Sequence, residues 1–134
     1  MSVEPVGEFR AKLGEGPVWD ERHARLWWVD PMESLLLRTD PESASTERFV
    51  LDTVCTVPCL TEGEHLLLGL PDGFATFDPA TGATRRIASL PDDPAKVRLN
   101  DGECDAGGRF WSGSMSAPQR SLRLSGRPSM TVTK

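Results

Sequence analysis

Apolar residues along this chain come in short runs of four to six separated by turn formers, and almost nowhere recur at intervals of three and four, so the pattern predicts strands rather than helices. Candidate strands cover 16–20, 26–30, 35–39, 47–51, 57–60, 65–70, 74–77, 84–88, 98–103 and 109–114. Pro31, Asp40-Pro41, Asp72-Gly73, Asp78-Pro79, Thr81-Gly82 and Gly107-Gly108 fall between them and mark the turns. The expected class is all-β.

The runs also repeat. Leu26-Trp27-Trp28-Val29, Leu66-Leu67-Leu68-Gly69 and Phe110-Trp111-Ser112-Gly113 begin 40 and then 44 residues apart. That period fits four-stranded propeller blades, and between Leu66 and Ile87 strand, turn, strand, turn and strand follow in order. A β-sandwich also has many short strands, but lacks a reason for the blade-length period, which favours the propeller. Counted from the N-terminus the chain supplies about two and a half blades, an incomplete ring.

Composition narrows the classes. The chain has 134 residues, 38% hydrophobic, and no apolar run long enough to cross a bilayer as a helix. Met1-Ser2-Val3-Glu4-Pro5 has neither a basic start nor an apolar core, so a cytoplasmic location is expected by default. The net charge of -5 argues against nucleic acid or an anionic membrane as partner. The charge is uneven: residues 1–115 carry -9 and residues 116–134 carry +4, so a divergent basic tail that does not continue the propeller is expected from Ser116 onward. Cys55, Cys59 and Cys104 lack the ligand count of a zinc site and are expected to be structural and reduced.

Two motifs carry candidate chemistry. Gly14-Glu15-Gly16-Pro17 leaves a carboxylate between glycines, which lets a hard divalent ion approach it closely. Arg98-Leu99-Asn100-Asp101-Gly102 places Arg98 and Asn100 two apart on one strand, hence on one face, expected to be the axial channel. The same Asn-Asp-Gly triplet is also an ordinary turn sequence, and Asp101 is assigned to structure. Trp27, Trp28 and Trp111 sit within apolar strands and read as packing, and His23 and His65 as turn residues without a partner at ligand spacing. There is no Gly-x-Ser-x-Gly elbow and no glycine-rich phosphate loop.

Taken in order, Leu13-Gly14-Glu15-Gly16-Pro17-Val18-Trp19-Asp20, Leu26-Trp27-Trp28-Val29-Asp30, and Arg98 to Gly102 continuing through Asp105, Gly108 and Arg109 to Gly113-Ser114-Met115 resemble the gluconolactonase and regucalcin (senescence-marker) family of six-bladed β-propeller lactonases. The resemblance covers residues from about 5 to 115, the N-terminal half of such a propeller. It implies hydrolysis of sugar lactones with one divalent metal ion on the axis, Ca2+ before Zn2+, Mg2+ or Mn2+. It implies Glu15 as a metal ligand and Arg98 and Asn100 as substrate-binding residues. The family's other ligands, an asparagine and the aspartate that serves as general base, belong to later blades, so no catalytic residue is expected here and the chain alone is expected to be inactive. The alternative is a non-catalytic calcium-binding or interaction module made of propeller blades. The substrate implied is a small sugar lactone, and the oligomeric state is left open.

Overall fold

The computed structural model describes residues 1–117, and these form ten antiparallel strands. The first four-stranded sheet runs β1 (Glu15–Asp20), β2 (Arg25–Asp30), β3 (Leu35–Asp40) and β4 (Ser45–Val50), in chain order. The second repeats this with β5 (Val57–Leu60), β6 (Leu66–Leu70), β7 (Gly73–Phe77) and β8 (Thr84–Ser89), and a two-stranded sheet pairs β9 (Val97–Cys104) with β10 (Phe110–Ser116). Two full meanders and half of a third are the two and a half blades that the period implied. Every expected strand is present, with ends displaced by no more than two residues. The basic tail expected from Ser116 lies, apart from Ser116 and Ala117, outside the described residues.

The first sheet has an internal rhythm of six strand residues and four turn residues. Each turn begins after an aspartate whose Oδ1 accepts the backbone N–H two residues on: Arg22 to Asp20 (3.1 Å), Met32 to Asp30 (3.1 Å) and Glu42 to Asp40 (2.9 Å). Each ends on a residue in the left-handed region, Ala24 (φ 50°), Ser34 (φ 53°) or Ala44 (φ 57°), none of them glycine. The aspartate caps hold that costly backbone in place, and the following strand starts in the same phase each time.

Burial falls off sharply at the outer edge of the second sheet. β6 is buried along its length except at Leu67 and β7 alternates buried with half-buried residues, whereas every residue of β8 is exposed. The main core fills the space between the first and second sheets: Trp27, Val29, Leu36, Leu66, Leu68, Ala75 and Phe77 all pack there. Phe77 (fully buried) meets Phe49 edge-on at 5.1 Å and Trp27 at 6.4 Å, so one aromatic cluster bridges the sheets. The third sheet docks through buried Leu99, whose N–H donates to the carbonyl of Pro71 (3.0 Å) in the β6–β7 turn. Among the described residues no helix is long and apolar enough to cross a membrane.

The tryptophans serve packing as expected. Trp27 is buried, Trp28 donates its indole N–H to Thr39 Oγ1 (2.9 Å), and Trp111 donates to Asp105 (2.8 Å). The expectation for the cysteines is corrected. Cys59 and Cys104 are joined, Cα to Cα 6.8 Å, across 45 residues of sequence, and only Cys55 is free. Sequence alone pairs neither of them, because the contact exists only once β5 of the second sheet lies against β9 of the third.

Candidate functional site

The innermost strands of the three sheets, β1, β5 and β9, converge on a pocket of about 620 Å³. Its walls include Glu15 from β1, Thr56 and Pro58 around β5, and Asn100, Asp101 and Glu103 from β9. Regular antiparallel strands would send alternate side chains to opposite faces. Here the alternation is broken where the pocket needs it.

On β1 the register with β2 slips by one residue between Glu15 and Val18, with Gly16 at φ 58° inside the slip. A side chain at Gly16 would be strained at that φ, and its Cβ would stand 3.1 Å from Pro58 Cδ across the pocket wall. The glycine therefore both makes the bulge and lets β1 close on β5. Glu15 is left exposed at the pocket edge. On β9 the register passes from Leu99 opposite Ser114 to Asp101 opposite Gly113, so Asn100 is the inserted residue. Leu99 stays buried while Asn100 and Asp101 are both exposed and both line the pocket. Two of the three register slips in the described sheets thus lie at this one site, and the third is on β7 and β8 at the periphery.

The structure brings together Glu15 and Asn100 and leaves Arg98 outside the pocket lining. Arg98 is half-buried, with one guanidinium nitrogen 3.8 Å from Met115 Sδ and its Nε buried without a partner among the described residues. The bulge at Asn100 falls between Arg98 and the rest of the strand, which is why a simple two-residue alternation does not describe their relation. Asp101, assigned to structure from sequence, stands on the pocket wall. Its Oδ1 accepts only the N–H of Gly102 (2.8 Å), and the Ser112 hydroxyl anchors its carbonyl (2.8 Å). Glu103 was missed outright. The one trace of this arrangement in the sequence is two consecutive polar residues in a strand that otherwise alternates.

Beside the pocket, Asp105 organises the β9–β10 turn. Its Oδ1 accepts the N–H groups of Gly107 (2.9 Å) and Arg109 (3.0 Å), and its Oδ2 those of Arg109 Nε (2.7 Å) and Trp111 Nε1 (2.8 Å). The Trp111 indole, then the Arg109 backbone, hold its carboxyl down at about 2. This carboxylate is saturated by donors and is a structural cap. Gly102 is constrained from the other side, since a Cβ there would come within 2.6 Å of Phe110 Cζ and of the Trp111 carbonyl.

The donor chemistry at the pocket edge suits a hard divalent cation: carboxylate oxygens from Glu15, with a glycine on either side. Among the described residues no three His, Cys, Asp or Glu side chains converge closely enough to enclose a metal. These residues therefore fit one side of an oxygen shell rather than all of it. His23, set aside from sequence, lies elsewhere, with Nδ1 2.8 Å from Asp20 and Nε2 3.2 Å from Glu64 between the first two sheets.

Comparison with known proteins adds the following. Residues 13–126 match the family described as the SMP-30/Gluconolactonase/LRE-like region. The chain is 30% identical over 133 residues to regucalcin of Gallus gallus, covering 99% of this chain and 44% of the relative. It is 33% identical over 107 residues to 6-deoxy-6-sulfogluconolactonase of Pseudomonas putida, covering 80% of this chain and 37% of the relative. Among solved structures, the calcium-binding protein regucalcin of Agrobacterium tumefaciens superposes with a TM-score of 0.76 at 28% identity, over 83% of this chain and 38% of that one. The chain thus spans less than half the length of the relatives it matches.

Proposed function

The chain belongs to the SMP-30/gluconolactonase/LRE-like family, and from that premise we propose that its pocket takes part in the hydrolysis of sugar lactones with the help of one divalent cation. The observation that carries the reading is the paired bulging of β1 and β9, which turns Glu15, Asn100 and Asp101 into one cavity. A relative named for its action on a gluconolactone and one named calcium-binding support the substrate class and the ion.

In this reading Glu15 holds the cation, whose chemistry when bound is Lewis-acid polarisation of the lactone carbonyl. Asn100 can donate its amide N–H groups to a sugar hydroxyl while its oxygen accepts another. Asp101, whose Oδ1 accepts the N–H of Gly102, keeps its other carboxylate oxygen without a donor among the described residues, and a sugar hydroxyl would supply one. Arg98 sits behind the bulge, and its unpartnered Nε is a donor that a ligand or bridging water would satisfy. No general base is assigned among the described residues. Calcium preferred over zinc, magnesium or manganese, and a cytoplasmic location, belong to the same proposal.

The test is calorimetric titration of the chain with Ca2+, Zn2+, Mg2+ and Mn2+, followed by a panel of aldonolactones assayed for binding and ring opening. Glu15→Gln is expected to weaken cation binding at least tenfold without loss of fold, and Asn100→Ala to weaken lactone binding with cation affinity unchanged. Cation and lactone affinities indifferent to both substitutions would overturn the assignment. The second reading, a calcium-binding module without turnover, is favoured by the relative named calcium-binding. It is distinguished by Glu15-dependent cation binding with no lactone binding at all.

A further inference from the structure

Two of the pocket's lining residues take no part in the chemistry above. Cys59 lies on β5 of the second sheet, and Cys104 ends β9 of the third, four residues beyond Asn100. Their sulfurs are in bonding contact, and both line the same cavity as Glu15 and Asn100. We propose that Cys59 and Cys104 are a site of reversible thiol–disulfide exchange, worked by a small disulfide or thiol entering the pocket, and that the bond sets the spacing between the strands that carry the site.

Three features of the structure support this. The bond crosses between sheets, where β5 and β9 are held by side-chain packing rather than by a backbone ladder, so making or breaking it acts on the relation of two strands and not within one. Cys104 is fixed from behind by the Asp105 turn and is half-buried, while Cys59 is only 5% exposed. The cavity gives a small thiol a route to Cys104 and a poorer one to Cys59. Third, Cys55 is not a competitor. It is fully buried, donates its S–H to the Val57 carbonyl (3.6 Å), and burial pushes its thiol up to about 12, so it offers no thiolate to scramble the pair.

The exchange balances as follows. The Cys104 thiolate attacks one sulfur of a small disulfide and displaces one small thiolate, leaving a mixed disulfide. The Cys59 thiolate then attacks Cys104 Sγ and displaces the second. Two protein thiols are oxidised, one small disulfide is reduced to two small thiols, and the two protein protons leave on them. Reduction runs the same steps backwards, entering at the more accessible Cys104.

The experiment incubates the folded chain in reduced and oxidised glutathione at a series of ratios, quenches with acid, and maps peptides without reductant. The expected result is one cross-linked species, Cys59 to Cys104, that appears and disappears reversibly, with Cys55 resistant to alkylation until the chain is denatured. Amide hydrogen exchange across 97–104 is expected to quicken at least tenfold on reduction. Cys104→Ser and, as a second variant, Cys104→Ala should each abolish the redox dependence of that exchange. A bond involving Cys55, no bond in oxidised glutathione, a bond that yields only after unfolding, or identical exchange rates in the two redox states would each overturn the proposal. These readouts need neither a cation nor a lactone, so they stand apart from the lactonase reading.

Discussion

Removing the ring of Phe77 should cost more stability than any other single truncation in the sheet interface. The side chain is fully buried and is the only contribution of β7 to an aromatic cluster whose other members, Trp27 and Phe49, come from the first sheet. Phe to Ala in a core typically costs about 3–5 kcal/mol, the sum of lost transfer energy and the cavity left behind. The two edge-on contacts each add about 0.5–1.5 kcal/mol beyond area, and neither sheet can collapse into the gap without breaking its own ladder. Phe77→Ala is therefore expected near the top of the range, about 4–5 kcal/mol, and Phe77→Leu at about 1–3 kcal/mol, because most of the volume is kept while both ring contacts are lost. Phe74 is the control: it is half-buried and its one aromatic partner among the described residues is Phe110, at 5.7 Å, so Phe74→Ala should cost about 1–2 kcal/mol. The assay is urea denaturation followed by tryptophan fluorescence, the summed signal of four tryptophans that include Trp27. A loss of less than about 1 kcal/mol for Phe77→Ala at unchanged m-value, or an equal loss for Phe74→Ala, would refute the idea that this cluster joins the sheets.

Two further outcomes follow from the turns. Asp105 has its folded pKa depressed from 3.8 to about 2, so its contribution is present in full above the unfolded value and is lost as pH falls through the folded one. Acid titration monitored by Trp111 fluorescence should show this loss between about pH 4 and pH 2, and Asp105→Asn should remove the transition while lowering stability at neutral pH. In the first sheet, Ala24→Gly and Ala44→Gly relieve a left-handed backbone that costs an L-residue about 1–2 kcal/mol, against about 0.4–1 kcal/mol of added unfolded-state entropy. Each is expected to raise the urea midpoint, by a net of about 0.5–1 kcal/mol, and a lowered midpoint would mean that the aspartate caps already absorb the strain.

The fold was largely legible because its signals are local. Asp30-Pro31, Asp40-Pro41 and Asp78-Pro79 announce turns from adjacent residues. Glu15 was legible for the same reason, since its flanking glycines are neighbours in sequence. What stayed hidden depends on contacts between elements. Asn100-Asp101-Gly102 lies in the expected strand, but the bulge at Asn100 could not be read there, because it exists only where β10 supplies a partner for every other residue of β9. Asp101, assigned to structure, also stands on the pocket wall. The Cys59–Cys104 pairing required knowing which inner strands meet, and no spacing rule for three cysteines contains that.

The capped turns of the first sheet also bear on how the chain reaches its structure in time. Every ladder from β1 to β4 joins strands separated by four residues, and each turn carries its own aspartate acceptor, so register is decided hairpin by hairpin. Hairpins of this kind close in about 1–10 μs, far faster than a ribosome adds a residue. The first sheet can thus settle its pairing as soon as the chain has emerged to Val50, before β5 exists for it to mispair with. Docking of the second sheet through Phe77, and last the meeting of β5 with β9, would then be the steps that wait on synthesis.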